Sequence, residues 1–380
     1  MYSHLMKTII RQECCMCGSK YFLPFLKVPT FPIFMGTTTQ NHEKDLFHDQ
    51  VWVVCRECGC LQLKELIPLD LLYSAQHSSG AIGAIWENHH KEFCEFILQD
   101  STDSICEIGA GHSDLARKII NKYSGINYLV IEPNPQNVPI GVKVIPGFME
   151  DNLDELHKYD TLVHSHVLEH VYQPRKFIQE IGLIMRHNTS MYVSFPNIEQ
   201  LINSRGTNSL NFEHTYYLHP FQFRALLKFY DLTVVRERKY LNHSYFFKIV
   251  RATAESKLEA LPNISKYSES FKEMWVELKE FVQKVNAFGN LDSIPTYLFG
   301  AHVFSQALLS LGLESKNVVG ILDNANAKNG ERLYGTKYNV YNPKVIQNMR
   351  EVRVILKTSH YQNEIKSQLF GLNSNVEIIE

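Results

Sequence analysis

The sequence predicts an α/β protein whose central part is a doubly wound sheet. The first observation is an apolar run that reaches an acid and two closely spaced glycines, Ser104–Gly111, and then a helical pattern. The second is the alternation of strand-like and helical runs through residues 104–251 and again through 291–380. The third is two cysteine pairs that precede both. We therefore expect four units, at 1–70, 71–251, 252–290 and 291–380.

The first unit, residues 1–70, is predicted to bind zinc. Two C-x-x-C pairs, each followed by glycine, supply Cys14, Cys17, Cys55 and Cys58. Four thiolates close a tetrahedral structural site and leave no open position for catalysis. The alternative is reduced cysteines in a small core, and either Cys15 or Cys60 could replace one of the ligands. The proline-rich segment between the pairs is predicted to be loop and short strand, with a strand at 51–54.

The glycine turn at residues 109–111 predicts a ligand crevice at the carboxyl end of its strand. Position 114 is Asp, so the turn departs from the dinucleotide fingerprint G-x-G-x-x-G. Ser113 is the expected N-cap of the following helix. Glu132 ends the next strand, where doubly wound folds place an acid that binds ribose hydroxyls. A glycine-rich turn with no ligand is the alternative.

The remaining elements of the central unit follow in order. A mostly helical segment is expected before the motif strand, within 71–103. After Glu132 we expect five strands and two helices: strands at 144–148, 159–166, 190–197, 232–237 and 244–250, and helices at 174–185 and 220–230. Phe148, at the end of the third strand, is placed to flank an adenine.

Residues 252–290 show one apolar stripe at helical spacing, which predicts a connecting helix that packs on its neighbours or forms an oligomer seam. Residues 291–380 then repeat the strand–helix alternation, with strands near 296–299, 318–324 and 352–356. This pattern predicts a second, Rossmann-like α/β unit. A single glycine at its first turn is a weak nucleotide signal, so packing or lid functions are equally open.

The E-x-G-x-G turn at Glu107–Gly111 resembles motif I of class I S-adenosylmethionine-dependent methyltransferases, and the run "VLEHV" at 167–171 is also typical of them. The resemblance implies S-adenosylmethionine as cofactor, with the motif acid near its amino-acid end. The residues expected at the cofactor are Glu107, Gly109, Gly111, Glu132, Phe148 and Ser165.

Taken over nearly its whole length, the chain resembles sugar C-methyltransferases that act on nucleotide-activated deoxysugars. Those enzymes join a cysteine–zinc unit, a methyltransferase fold and a C-terminal Rossmann-like domain. The stretch at 323–336 is similar to their "D-x-N-x-x-K-x-G … P-G-T" segment, with Tyr334 in place of proline. Their Tyr-x-Glu-His segment has Asn211 here instead of tyrosine, and their tyrosine-containing run is altered at 73–77.

The resemblance implies that His214 is the base that removes a proton beside a ketone, with Glu213 orienting or polarising it. His166, at the end of the fourth strand, is the second candidate base, while Glu169 and His170 are assigned to helix packing or the cofactor loop. The residues expected at the substrate are Asn211, Tyr216 and Tyr217. The segment 77–80 could also reach substrate, although a generic loop is the simpler interpretation.

We therefore expect an enzyme that methylates carbon next to a keto group of a nucleotide-linked sugar, in surface-glycan or natural-product sugar synthesis. O-methylation of a sugar hydroxyl and a non-catalytic binding relic are the alternatives. With 38 basic and 40 acidic residues in 380, the net charge of −2 does not favour nucleic acid. No apolar run is long enough for a bilayer, and the first 11 residues lack a signal-peptide core, which predicts a cytoplasmic protein. The oligomeric state is left open.

Overall fold

A computed structural model describes residues 7–73, 83–123, 125–205, 210–253, 261–289, 294–314, 318–357 and 362–380. The segment 77–80, which the sequence offered as a substrate loop, lies outside these residues. Within the described part of the chain, no helix combines the length and apolar character needed to cross a bilayer.

The N-terminal unit is built on small antiparallel sheets. Its elements are β1 (Ile9–Ile10), β2 (Phe22–Pro32), β3 (Thr37–Thr38), β4 (Phe47–Cys55), β5 (Leu61–Leu63), β6 (Glu65–Leu66) and α1 (Leu69–Leu72). Strands β2, β4 and β5 form one sheet in that order, and β1 pairs with β6. The segment between the cysteine pairs is predicted to be loop and short strand, but it contains β2, a strand of 11 residues. Its prolines are tolerated since β2 is an edge strand with two register shifts.

Among its described residues, the central unit contains seven strands and six helices. In chain order they are α2 (Ala84–Ile97), β7 (Ser104–Ile108), α3 (Asp114–Lys122), β8 (Asn127–Glu132), β9 (Lys143–Pro146), α4 (Leu153–Leu156), β10 (Thr161–Ser165), α5 (Pro174–Ile184), β11 (Ser190–Pro196), α6 (Ile198–Asn203), α7 (Pro220–Lys228), β12 (Leu232–Tyr240) and β13 (Ser244–Arg251).

These strands form one sheet in the order β12-β13-β11-β10-β7-β8-β9. The pairs among β7 to β11 are parallel, whereas β13 is antiparallel to both β11 and β12. The strand order reverses beside β7, so the carboxyl ends of β7, β8 and β10 border one crevice. The predicted doubly wound class I methyltransferase sheet, with its reversed final strands, is confirmed.

A long helix, α8 (Lys266–Gly289), leads to the C-terminal unit. That unit contains β14 (Thr296–Phe299), α9 (Val303–Ser310), β15 (Val318–Leu322), β16 (Arg332–Leu333), β17 (Val340–Tyr341), β18 (Val352–Ile355), α10 (Gln362–Leu372) and β19 (Val376–Ile379). Five of its strands form a parallel sheet in the order β17-β15-β14-β18-β19, while β16 pairs with β3 of the N-terminal unit. The predicted C-terminal α/β architecture is confirmed.

The apolar stripe of α8 packs inside the chain. Phe271, Met274 and Leu278 are completely buried in a core cluster that also contains Trp52 of β4 and Leu298 of β14. The helix therefore joins the N-terminal and C-terminal sheets through one shared core. The boundaries of the four predicted units stay a prediction.

Candidate functional site

The glycine turn after β7 carries the predicted cofactor contacts. Gly109 has a φ of 72°, and a Cβ there would lie 2.4 Å from a methyl carbon of Val167, so this position requires glycine. Gly111 has a φ of 51°, and no atom lies within 4 Å of where its Cβ would stand. The turn thus packs closely against the loop after β10 while leaving open space above Gly111. Such an opening fits a ligand that lies against the backbone.

Two carboxylates flank this turn in different environments. Glu132, at the end of β8, accepts hydrogen bonds from the backbone N–H of Gly111 at 3.1 Å and of Asn134 at 3.0 Å. Glu107 is buried at 2% exposure, and its carboxylate accepts a 2.7 Å hydrogen bond from the Tyr128 hydroxyl. Burial raises the pKa of Glu107 to about 7. The half-buried Glu132 is therefore the acid better placed for a polar ligand.

The expected N-cap role of Ser113 is wrong in its geometry. Its backbone is left-handed, with a φ of 59°, and its hydroxyl donates to the carbonyl oxygen of Gln136 at 3.1 Å instead of capping α3. The serine therefore ties the turn to the loop after β8. Of the other predicted cofactor contacts, Phe148 is 38% exposed after β9. The buried Ser165 hydroxyl at the end of β10 has no hydrogen-bond partner in the described part of the chain.

A second group of side chains lies near the carboxyl edge of β10, and we call it the acid–base cluster: Tyr73, His170, Glu213 and His214. The Tyr73 hydroxyl is 3.3 Å from His170 Nδ1, and Glu213 Oε2 is 3.7 Å from the same atom. The rings of His170 and His214 meet edge to face with centroids 4.8 Å apart. The structure therefore brings together residues that are up to 141 positions apart in the sequence.

The assignment of His170 to packing or to the cofactor loop is corrected by this arrangement. His170 ends a 3-10 turn, Leu168–His170, whose first residue is completely buried. Glu169 lies beside His166, whereas the His170 ring lies beside Tyr73 and His214. The "VLEHV" run contains this histidine. The sequence of a single turn does not reveal which of its residues faces the acid–base cluster.

Burial sets the protonation states of this cluster. It lowers the pKa of His170 to about 3 and, with help from neighbouring His166 and His302, that of His214 to about 4. It raises the pKa of Glu213 to about 7. Both imidazoles are therefore neutral at neutral pH, and a neutral imidazole is the form that accepts a proton.

Asn211 positions the loop that carries Glu213 and His214. It is buried at 1% exposure, and its side-chain oxygen accepts hydrogen bonds from the backbone N–H groups of Glu213 at 2.9 Å and His214 at 2.7 Å. This is an Asx-type turn, in which a side chain fixes the backbone two and three residues on. The direct substrate contact predicted for Asn211 is thus replaced by a positioning role.

The two tyrosines predicted at the substrate lie in the interior. Tyr216 is 1% exposed and donates to the carbonyl oxygen of Leu168 at 2.6 Å. Tyr217 is 4% exposed, and its ring packs 5.4 Å from those of Trp52 and Phe271. Their buried aromatic rings stabilise the loop from the interior of the protein. Both residues therefore have a packing role rather than the predicted contact with substrate.

His166 contacts different residues from those that His214 contacts. It follows β10 with a left-handed φ of 55°, its Nε2 is 2.9 Å from the Ser244 hydroxyl, and its Nδ1 is 3.1 Å from Glu169 Oε1. Burial lowers its pKa to about 3. Because its Nε2 is hydrogen-bonded to Ser244 and its Nδ1 faces a carboxyl group, His166 is a poorer candidate base than His214.

The four predicted metal ligands do converge. The Sγ atoms of Cys14, Cys17, Cys55 and Cys58 all lie within 4.8 Å of one another, and the Cys14–Cys58 and Cys17–Cys55 separations are 3.6 and 3.5 Å. Zn–S bonds of about 2.3 Å in a tetrahedron require sulfur–sulfur distances of about 3.8 Å. The donor set and its spacing therefore fit a zinc ion, and Cys15 and Cys60 lie outside the group.

Comparison with known proteins gives the class of the central unit. Residues 85–237 match a family model described as a methyltransferase domain. The central unit is a methyltransferase domain. The predicted enzyme class, an S-adenosylmethionine-dependent methyltransferase, is thereby confirmed, while membership of the sugar C-methyltransferases stays a prediction. No curated protein matches the chain.

Several solved structures resemble this methyltransferase domain weakly. The PH0226 protein from Pyrococcus horikoshii OT3 is 12% identical with a TM-score of 0.37, over 48% of this chain and 100% of that one. The magnesium protoporphyrin IX methyltransferase from Synechocystis PCC 6803, with bound SAH, is 14% identical with a TM-score of 0.34, over 44% and 84%. Mitomycin 7-O-methyltransferase MmcR is 15% identical with a TM-score of 0.35, over 43% of this chain and 54% of that one. These likenesses are too weak to indicate a substrate.

Proposed function

We propose that this methyltransferase transfers a methyl group to carbon next to a keto group of a nucleotide-activated sugar. The observation that carries the proposal is the acid–base cluster, which places a neutral histidine, His214, beside a second histidine, a carboxyl group and a phenol. The cluster lies close enough to His302, at the start of α9, for that residue to affect the pKa of His214. We propose that the substrate lies between the central and C-terminal units, where it would meet His214.

The chain's own residues supply proton transfer and alignment. His214 takes the proton from the carbon beside the ketone, because its imidazole is unprotonated at neutral pH. Tyr73 and His170, 3.3 Å apart, are placed to donate a hydrogen bond to the oxygen on which negative charge develops. Asn211 fixes the backbone of the loop that carries Glu213 and His214, so that the base keeps its position. S-adenosylmethionine, when bound, supplies the electrophilic methyl group.

The cofactor fits the glycine turn by its chemistry. The open space over Gly111 accepts the nucleoside against the backbone. Glu132 has the two carboxylate oxygens needed to accept from both ribose hydroxyls, and its own backbone hydrogen bonds hold it at the turn. Ser165, the last residue of β10, offers a hydroxyl group that has no hydrogen-bond partner among the described residues. We therefore assign cofactor binding to this edge of the sheet.

We infer that the four-cysteine group holds a structural zinc ion. Its thiolates would fill all four tetrahedral positions, so that the ion contributes to folding and not to the chemical step. The backbone carbonyl of Cys58 accepts hydrogen bonds from the Gln222 side chain at 2.8 Å and from the Ile264 N–H at 3.0 Å. The second knuckle is thereby joined to the methyltransferase domain and to the segment before α8.

Methylation of a sugar oxygen is the alternative function, and one observation favours it. The position occupied by tyrosine in the sugar C-methyltransferases is Asn211 here, which is buried beneath the loop and bonded to its backbone. One phenol that could stabilise an enolate is therefore absent from this position. The same base, His214, would serve a hydroxyl acceptor equally well.

Isotope exchange separates the two functions. The full-length protein is incubated in heavy water with a 4-keto sugar nucleotide and S-adenosylmethionine or SAH, and the sugar is followed by NMR and mass spectrometry. C-methylation predicts exchange of the C–H beside the ketone and a product with a new carbon–carbon bond. A methyl ether formed without exchange would refute C-methylation and support the oxygen acceptor. Absence of any product across a panel of sugar nucleotides would refute the substrate class.

A further inference from the structure

The methyltransferase domain contains a second set of converging histidines, which we call the three-histidine group: His89, His166 and His243. One ring nitrogen from each lies within 4.8 Å of the others. The ring centroids are 5.1 Å apart for His89 and His166, 5.5 Å for His89 and His243, and 5.6 Å for His166 and His243. None of these residues belongs to the acid–base cluster.

Three separate elements bring these histidines together. His89 lies in the second turn of α2, His166 follows β10, and His243 lies in the connection between β12 and β13. Ser244, the first residue of β13, pairs with Pro196 at the carboxyl end of β11. The group therefore lies at the carboxyl edge of the sheet, the edge at which doubly wound folds bind ligands.

The surroundings of the group match those of a metal site. His89 is completely buried, and its Nε2 is 2.9 Å from the Ser194 hydroxyl. Its Nδ1 has no hydrogen-bond partner among the described residues. The Nδ1 of His166 is 3.1 Å from Glu169 Oε1, which leaves Nε2 as the nitrogen that would bind a metal. A carboxylate behind a histidine ligand is a recurring arrangement that orients the ring and strengthens the metal bond.

Glu169 supplies a second indication of a cation. It is buried at 4% exposure, and neither carboxylate oxygen has an aligned hydrogen bond within the part of the chain that the structure describes. A buried carboxyl group without such partners either keeps its proton or has a positive charge nearby. A metal ion bound to His166 would provide that charge through the imidazole.

We propose that His89, His166 and His243 bind a divalent metal ion of the zinc type. Neutral imidazole suits Zn²⁺ and the neighbouring transition metals. Three histidine ligands leave a coordination position open for an oxygen of solvent or substrate, unlike the closed four-cysteine group. Metal–nitrogen bonds of about 2.1 Å require nitrogens about 3.4 Å apart, so metal binding would need small ring rotations. These rotations would compete with the hydrogen bonds that the Ser244 hydroxyl makes with His166 Nε2 at 2.9 Å and His243 Nδ1 at 2.6 Å.

Cobalt substitution tests this site and keeps it distinct from the cysteine site. The full-length protein is produced with Co²⁺ in place of Zn²⁺, and bound cobalt is measured by mass spectrometry and by absorbance. Thiolate ligands give an intense near-ultraviolet charge-transfer band, whereas nitrogen ligands give only weak visible bands. We expect two cobalt ions per chain, with the intense band arising from one of them.

Single substitutions then assign each ion. His243→Gln and His166→Gln should each remove one equivalent of cobalt and leave the charge-transfer band unchanged, which also reports that the cysteine unit is intact. The control His90→Gln, next to His89 on α2 but outside the group, should keep both ions. Retention of two ions in His243→Gln and His166→Gln, or loss of one in His90→Gln, would overturn the proposal. A single ion without the intense band would support the histidine site and refute the cysteine one.

Discussion

The backbone N–H of Leu63 donates a 2.9 Å hydrogen bond to the carbonyl oxygen of Thr215, the residue that follows His214. The Tyr217 N–H donates in turn to the carbonyl oxygen of Leu61 at 2.9 Å. The loop with the candidate base is thus hydrogen-bonded along β5, whose other edge pairs with β4. Because β4 ends in Cys55, the four-cysteine group and His214 are connected through one small sheet.

This connection predicts the result of Cys55→Ser. Loss of one thiolate should release zinc and lower the free energy of unfolding of the N-terminal unit by more than about 3 kcal/mol, since structural zinc contributes on the order of 10 kcal/mol to small zinc units. Turnover should fall together with the folded fraction rather than selectively. Calorimetric melting and activity on the same samples measure both effects.

Cys15→Ser is the matched control for that substitution. Cys15 is adjacent to a proposed ligand and buried at 7% exposure, but it lies outside the four-cysteine group. It should keep its zinc and melt within a few degrees of the wild type. Zinc loss in Cys15→Ser but not in Cys55→Ser would show that the ligand set has been assigned wrongly.

The sequence predicts the central sheet well because its strands are buried and apolar. The cofactor strand, Ser104–Ile108, is buried at every position, and its glycine turn follows immediately. The reversed pair at the end of the sheet is also predicted, since two strand-like runs separated by a few residues pair as a hairpin. Such local patterns determine the order of elements without any tertiary information.

The sequence does not predict features that depend on tertiary contacts. Strand β2 contains Pro24, Pro29 and Pro32, and only its edge position and register shifts make these prolines acceptable. The meeting of Tyr73 with His170 joins residues 97 positions apart, so no local pattern reveals it. The burial of Tyr216 and Tyr217 likewise follows from the pairing of their loop with β5.

Glu132→Gln tests the assignment of the cofactor site. The amide can still accept from the Gly111 N–H, but it loses one charged acceptor for the ribose hydroxyls. Hydrogen bonds to charged groups contribute about 1.5–3 kcal/mol, so the Kd for S-adenosylmethionine should rise at least about tenfold. Isothermal titration calorimetry measures it, with Glu155→Gln on α4 as a control. An unchanged Kd would place the ribose elsewhere.

His214→Gln tests the identity of the base. General base catalysis contributes about 10²- to 10⁴-fold, so kcat should fall by at least about 100-fold while the affinity for S-adenosylmethionine stays within about twofold. The exposed His187, in the loop between α5 and β11, provides the control His187→Gln. If His166→Gln loses exchange activity and His214→Gln does not, the roles assigned to these two histidines are reversed.

His164, the fourth residue of the five-residue strand β10, predicts how acid affects the fold. It is completely buried, and neither ring nitrogen has a hydrogen-bond partner among the residues with described positions. Burial lowers its pKa to about 3. The unfolded chain binds a proton at this residue near pH 6.5 and the folded chain does not, so stability is retained above pH 6.5 and lost as the pH falls towards 3. Between pH 7 and 5 this loss amounts to about 2 kcal/mol.

His164→Leu should remove this loss of stability, as measured by denaturant unfolding at both pH values. The raised pKa values of Glu107, Glu169 and Glu213 increase the stability as the pH falls. These residues are present in both the wild type and His164→Leu, so the difference in pH dependence between the two proteins isolates the contribution of His164. The exposed control His187→Leu should lose as much stability between pH 7 and 5 as the wild type does. If His164→Leu also loses as much stability as the wild type, His164 accepts its proton without unfolding.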